Sequence, residues 1–129
     1  MDIHLQTHDE LKQLSLLNIS KLGDGRYVCD AMVKSDWIAC QQRFYFDRLR
    51  AEAFLRALRR MYELFEGETT LQQEYEMQFI TFSCNKLGQI AVSGELFEDA
   101  IVYQSVKFAF ETDQTVLPSF IQQFELLLG

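Results

Sequence analysis

Few residues in this 129-residue chain have the types and spacing that chemistry needs. His4 and His8 stand four apart, a spacing that on a helix would let two imidazoles chelate a metal. The stretch around them is not helix-like, and no cysteine or carboxylate lies beside them at zinc spacing. The same two histidines are the only bases for a Ser-His-acid or Cys-His nucleophile. No glycine-rich phosphate loop is present, and Gly23-Asp24-Gly25 is a turn signal. Paired carboxylates remain. Glu74 and Glu76 share one face if their segment is extended, and Glu98 and Asp99 are adjacent in a tight turn. General acid–base work needs two carboxyls in different environments inside a cleft, whereas turn carboxylates are solvated. No catalytic residue, cofactor site or metal site is expected.

Arg48, Arg50, Arg56, Arg59 and Arg60 form a basic group. Nucleic-acid binders are usually basic domains, whereas this chain carries a net charge of −7. A solvated helix face, or ion pairs with the acidic half, is the better reading of the arginines. Arg50 falls near the apolar stripe, so it either precedes the first full turn or meets a buried acid. Charge is uneven along the chain. Residues 61–129 hold eleven acids against Lys86 and Lys107. Such a field repels nucleic acid and anionic membrane and favours a cationic partner. Plain solubility would require no more.

Cys29, Cys40 and Cys84 are odd in number, widely spaced and flanked by apolar residues. They read as buried thiols in a reducing compartment. No apolar run reaches the roughly 18 residues that span a membrane. Met1 to Glu10 has no apolar signal region. A cytoplasmic location is expected.

The elements that must position these groups follow from periodicity. Met1 to Glu10 is polar and reads as a frayed tail. Leu11–Ile19, Arg26–Lys34 and Trp37–Phe46 read as three strands, the third with a bulge near Gln42. Asp47 caps a helix to about Phe65, with an apolar stripe of Leu49, Ala53, Phe54, Ala57, Leu58, Met61, Leu64 and Phe65. Glu52–Arg56 and Arg59–Glu63 are its pairs at four-residue spacing, and Gly67 is placed to end it. Thr69–Glu74 is a short strand or loop. Met77–Cys84, Gln89–Phe97 and Ile101–Glu111 are strands, and Gly94 marks a bulge or a close approach. Thr112–Thr115 caps a last helix lined by Leu117, Phe120, Ile121, Phe124, Leu127 and Leu128. The expected fold is one α+β domain over residues 1–129. An antiparallel sheet of about six strands, in the order βββα-βββα, carries two amphipathic helices.

Phe-x-Phe-x-x-Asp-Gln-Thr-x-Leu, at Phe108 to Leu117, resembles the closing pattern of small bacterial proteins related to the WapI immunity protein. Phe46 to Leu58, with Gly67 and Leu71 after it, resembles that family's first helix. Gly88 to Leu96 resembles its Gly-x-x-x-Val-x-Gly-x-Leu strand. The resemblance spans roughly residues 14–128 and marks no catalytic residue. It implies tight binding of a cognate toxin domain and blockage of its active site. Such toxins are often basic, which fits the charge layout. The expected partner-facing patch is Glu74, Glu76, Glu95, Glu98 and Asp99. The rival expectation is an accessory protein that pairs with itself through a strand edge or apolar surface. Its mass in solution would tell the two apart.

Overall fold

A computed structural model describes residues 1–73, 77–98 and 104–129. The fold is α+β, with two four-stranded antiparallel sheets in place of one six-stranded sheet. The first sheet runs β1 (Ile3–Leu5), β2 (Lys12–Lys21), β3 (Arg26–Ser35) and β4 (Ile38–Asp47), and leads into helix α1 (Arg48–Leu64). The second runs β5 (Gly67–Gln72), β6 (Phe79–Cys84), β7 (Gln89–Glu98) and β8 (Gln104–Asp113). A single 3-10 turn, Gln114–Val116, then enters helix α2 (Leu117–Leu128). Each half is thus four neighbouring strands followed by a helix. Positions 101–103, expected to begin the last strand, lie outside the described residues.

The two extra strands are short. β1 pairs with β2, and Ile3 and Leu5 are fully buried. The expected frayed tail is therefore a strand. Asp2 Oδ1 accepts the Asn18 N–H at 2.8 Å, and Met1 C=O accepts that of Ile19 at 2.8 Å. Both bonds use the break in β2, where Asn18 has φ 54° and the register slips between Leu17 and Ser20. The bulge sits here and not near Gln42, because β4 pairs with β3 without interruption. On β4 the inward parity is Cys40, Gln42, Phe44 and Phe46. Trp37, Ala39 and Gln41 are exposed.

Asp47 caps α1 as expected, its Oδ1 accepting the Arg50 N–H at 2.8 Å. The buried stripe is Ala51, Phe54, Leu55, Leu58 and Met61. Leu49, Leu64 and Phe65 face solvent, Leu49 at 74%. The stripe is rotated because the helix covers β5 and β6 as well as the strand that feeds it. Phe65, in the left-handed conformation at φ 53°, ends the helix, and Gly67 at φ 119° opens β5. Gly94 is a close approach. β7 keeps its register with both neighbours, and a Cβ there would strike the Phe79 carbonyl and come within 2.9 Å of the Phe108 ring.

Each helix packs against the first strand of the sheet that it does not follow, α1 on β5 and α2 on β1. Between them lies one continuous core. Phe54 of α1 is its centre. The ring meets Phe82 of β6 edge-on at 5.5 Å, and Phe120 and Phe124 of α2 at 6.5 and 5.6 Å. Phe124 reaches Phe46 of β4, which stacks on Tyr27.

Two expectations follow. Phe54→Ala should cost about 3–5 kcal/mol in denaturant unfolding, since it empties the junction of both sheets and both helices. Asp113 caps the 3-10 turn through Thr115, whose hydroxyl and backbone N–H hold the carboxyl below its ordinary range. Its folded pKa lies below its unfolded one, so its contribution is complete above about pH 4 and fades as pH falls further. Asp113→Ala should therefore cost about 1 kcal/mol at pH 7, with the gap from the parent closing in acid.

Candidate functional site

Of the five carboxylates expected to meet a partner, Glu74, Glu76 and Asp99 lie outside the described residues. Glu95 and Glu98 are three apart on β7 and face opposite sides of the sheet. Glu95 is half-buried on the outer face, opposite Lys107 of β8. Glu98 is exposed at the strand end and lines a small cleft with Cys40, Gln42 and Val106. The two do not form one patch. The register instead places Glu68, Ser83, Ala91 and Glu111 in one row across the outer face of the second sheet. Thr70, Thr81, Ser93 and Ala109 form the next row, and Glu95 and Lys107 stand in the third. Neither described helix covers this face. Glu68 and Glu111 were not singled out from the sequence, because only the pairing brings them to one row.

The other candidate groups serve structure. His4 Nδ1 lies 2.8 Å from Ser15 Oγ. The main chain of His4 is gripped by Gln123 of α2, whose Oε1 accepts the His4 N–H at 2.7 Å and whose Nε2 donates to the His4 carbonyl at 3.0 Å. His8 Nε2 lies 3.2 Å from Thr115 Oγ1, and the Thr115 hydroxyl donates to Asp113. The order acid–hydroxyl–imidazole is wrong for nucleophile activation, in which the base must sit between the other two. Arg50 pairs with Asp47 at 3.1 Å, so it braces the cap. Arg48 bonds Glu52 at 2.8 Å and the Leu128 carbonyl, and Arg59 bonds Glu125 of α2 at 2.8 Å. These replace the expected Glu52–Arg56 and Arg59–Glu63 pairs and tie α1 to α2. Among the described residues, no buried side-chain nitrogen or oxygen lacks a partner, and no group of three His, Cys, Asp or Glu could hold a metal ion. No described helix is long and apolar enough to cross a membrane.

The most exposed large hydrophobic side chain among the described residues stands at the tip of the β3–β4 hairpin. Trp37 sits in the two-residue turn between Ser35 and Ile38 and is 90% exposed. A cleft of about 410 Å³ opens beside it, lined by Ile38 and Ala39 on one wall and Ser105, Val106 and Lys107 of β8 on the other. The smaller Glu98 cleft continues along β4 past Cys40 to Gln42. Below that point the two sheets are clasped together. Gln78, buried, donates from Nε2 to the Arg43 carbonyl at 2.8 Å and accepts the Phe97 N–H at 3.1 Å. Gln42 Nε2 adds a bond to the Phe97 carbonyl at 3.2 Å. At the hairpin end, Ser35 Oγ donates to the Ala109 carbonyl at 2.8 Å.

No protein-family model and no curated protein matches the chain.

All three cysteines are free. Burial, reinforced by the Asp30 charge, pushes the Cys29 thiol up to about 12, and burial also raises Cys40 and Cys84. Because the Cys29 value in the folded state lies above its ordinary value, the contribution of this thiol to stability is complete below about pH 9 and is lost as pH rises toward 12. A thiol reagent at pH 8 should label Cys40 and Cys84 first and Cys29 only at the rate of unfolding. Fast labelling of Cys29 would contradict its burial in the core.

Proposed function

We propose that this chain is a protein-binding domain that neutralises a basic partner domain, in the manner of the immunity family its motifs resemble. The observation that carries the reading is Trp37. A tryptophan left 90% exposed at a hairpin tip loses much hydrophobic free energy unless another surface covers it. Tryptophan is also the residue type most enriched among side chains that dominate binding energy. The adjoining cleft supplies apolar and polar atoms around it, as a partner-facing anchor requires. Charge supports the choice of a basic partner. Glu68, Glu95 and Glu111 outweigh Lys107 on the outer face of the second sheet and give it a negative field that would accelerate encounter.

The test is co-expression with the C-terminal domain encoded by a neighbouring toxin-like gene, read as growth rescue and as calorimetric affinity. Trp37→Ala should weaken binding about 30-fold or more while leaving the thermal midpoint unchanged. The triple reversal of Glu68, Glu95 and Glu111 to lysine should slow association and flatten its salt dependence. Continued growth arrest with no measurable heat would sink the reading. A dimer by sedimentation, without any added protein, would favour self-pairing instead.

A further inference from the structure

Every sheet ends in a strand with one unpaired side, and each of the four edges here is covered over part of its length. The β1 edge is occupied by the Gln123 amide, which mimics a neighbouring strand at His4. The β5 edge lies under α1, with Met61 against Gly67. On β8, the Ala109 carbonyl is taken by Ser35. On β4 the covering is partial, and the phase of the hairpin shows where it stops. A hairpin closed by a two-residue turn has a hydrogen-bonded pair next to the turn, and the direction of the backbone groups alternates from there. Ser35 and Ile38 are that pair. Ile38, Cys40 and Gln42 therefore turn their N–H and C=O toward β3, and Ala39, Gln41 and Arg43 turn theirs outward. Arg43 fits this phase. Its N–H donates to Gln42 Oε1 and its C=O accepts from Gln78, both at 2.8 Å. Among the described residues nothing covers Ala39 and Gln41 in this way, and both are exposed.

We infer that this stretch of β4 takes up an extended segment of a partner chain as an added strand. The inference deepens the protein-binding reading above and rests on it for the identity of the partner. Two outward residues offer two N–H donors and two C=O acceptors, which only another backbone in extended form satisfies together. The clefts on this side supply the rest. Ile38, Val106 and Leu96 form apolar lining for alternate side chains of the added strand, and Trp37 stands at the mouth to close over it. The ends are oppositely charged. Lys107 lies at the Trp37 end, and Glu98 lies at the other. The fitting occupant is thus a short strand with small apolar residues at every second position, an acid at one end and a base at the other.

A direct test uses a capped six-residue peptide that alternates valine and serine, with lysine at one end and glutamate at the other. At millimolar peptide the Ala39 and Gln41 amides should exchange with solvent at least tenfold more slowly. The emission of Trp37, the only tryptophan, should shift to shorter wavelength. The same peptide N-methylated at alternate residues should do neither. Unchanged exchange at Ala39 and Gln41, or equal effects from the methylated peptide, overturns the inference. A second arm uses Gln41→Pro, which removes an outward N–H and leaves the β3 ladder intact. It should lower affinity for the toxin domain at least tenfold. Parent-like affinity in that variant would refute strand addition while leaving protein binding in place. A toxin domain that fails to bind the parent protein would refute the proposed partner, and the peptide arm would still decide the edge. Should Gln41→Pro not fold, the methylated peptide supplies the same comparison on the unaltered chain.

Discussion

The contact on which the molecule depends is the ring cluster around Phe54. Phe82 comes from the second sheet, Phe120 and Phe124 come from the last helix, and Phe124 passes the contact on to Phe46 in the first sheet. Neither four-stranded sheet is large enough to bury its own inner face. Each helix has a single apolar stripe that must find cover. Placing edge-to-face rings where the four bodies meet satisfies all of them at once, and this aromatic geometry adds to the area it buries. The clasp at Gln78 and the pairs Arg48–Leu128 and Arg59–Glu125 then set the angles between bodies already held together.

The surface character follows from that economy. The helices are used up in closing the core and two strand edges, so neither is available to shield the outer face of the second sheet or the hairpin tip. What remains outside is a face of hydroxyls, small side chains and carboxylates, with Lys107 among them, next to an uncovered indole. Net negative charge and one large exposed aromatic group are the features on which the proposed protein-binding reading rests.

Much of this was legible in the residues. Alternation found β2 to β4 and β6 to β8, while β5 read only as a short strand or loop. Asp47 marked the start of α1 through its side-chain cap, whereas the Thr112–Thr115 cluster caps the 3-10 turn ahead of α2, whose own N-cap, Val116, makes no side-chain bond. The last helix buries the residues its spacing indicated, with Leu127 only partly covered. Gly94 signalled a crowded backbone. Three things were hidden. Ile3 and Leu5 alternate correctly, but three residues among polar neighbours carry too little pattern, and their burial depends on α2 at the far end of the chain. The division into two sheets is decided by where the helices fall, a long-range matter on which strand periodicity is silent. The rotation of the α1 stripe has the same origin, since Leu49 and Leu55 are equally apolar and only packing decides which turns inward. The acidic site was legible as a charge excess but not as a surface. Strand parity alone separates Glu95 from Glu98, and only cross-strand register unites Glu68 with Glu111.

The grip of Gln123 on His4 carries a consequence for biosynthesis. The two residues are separated by 119 positions, so during synthesis β1 finds its lid only once α2, made that much later, has left the ribosome. Until then the nascent first sheet displays a bare, hydrophobic margin on which neighbouring nascent chains could template. Early residues that are soluble and charged around Ile3 and Leu5, as Asp2, Asp9 and Glu10 are, keep that waiting period safe by making premature stacking electrostatically unfavourable.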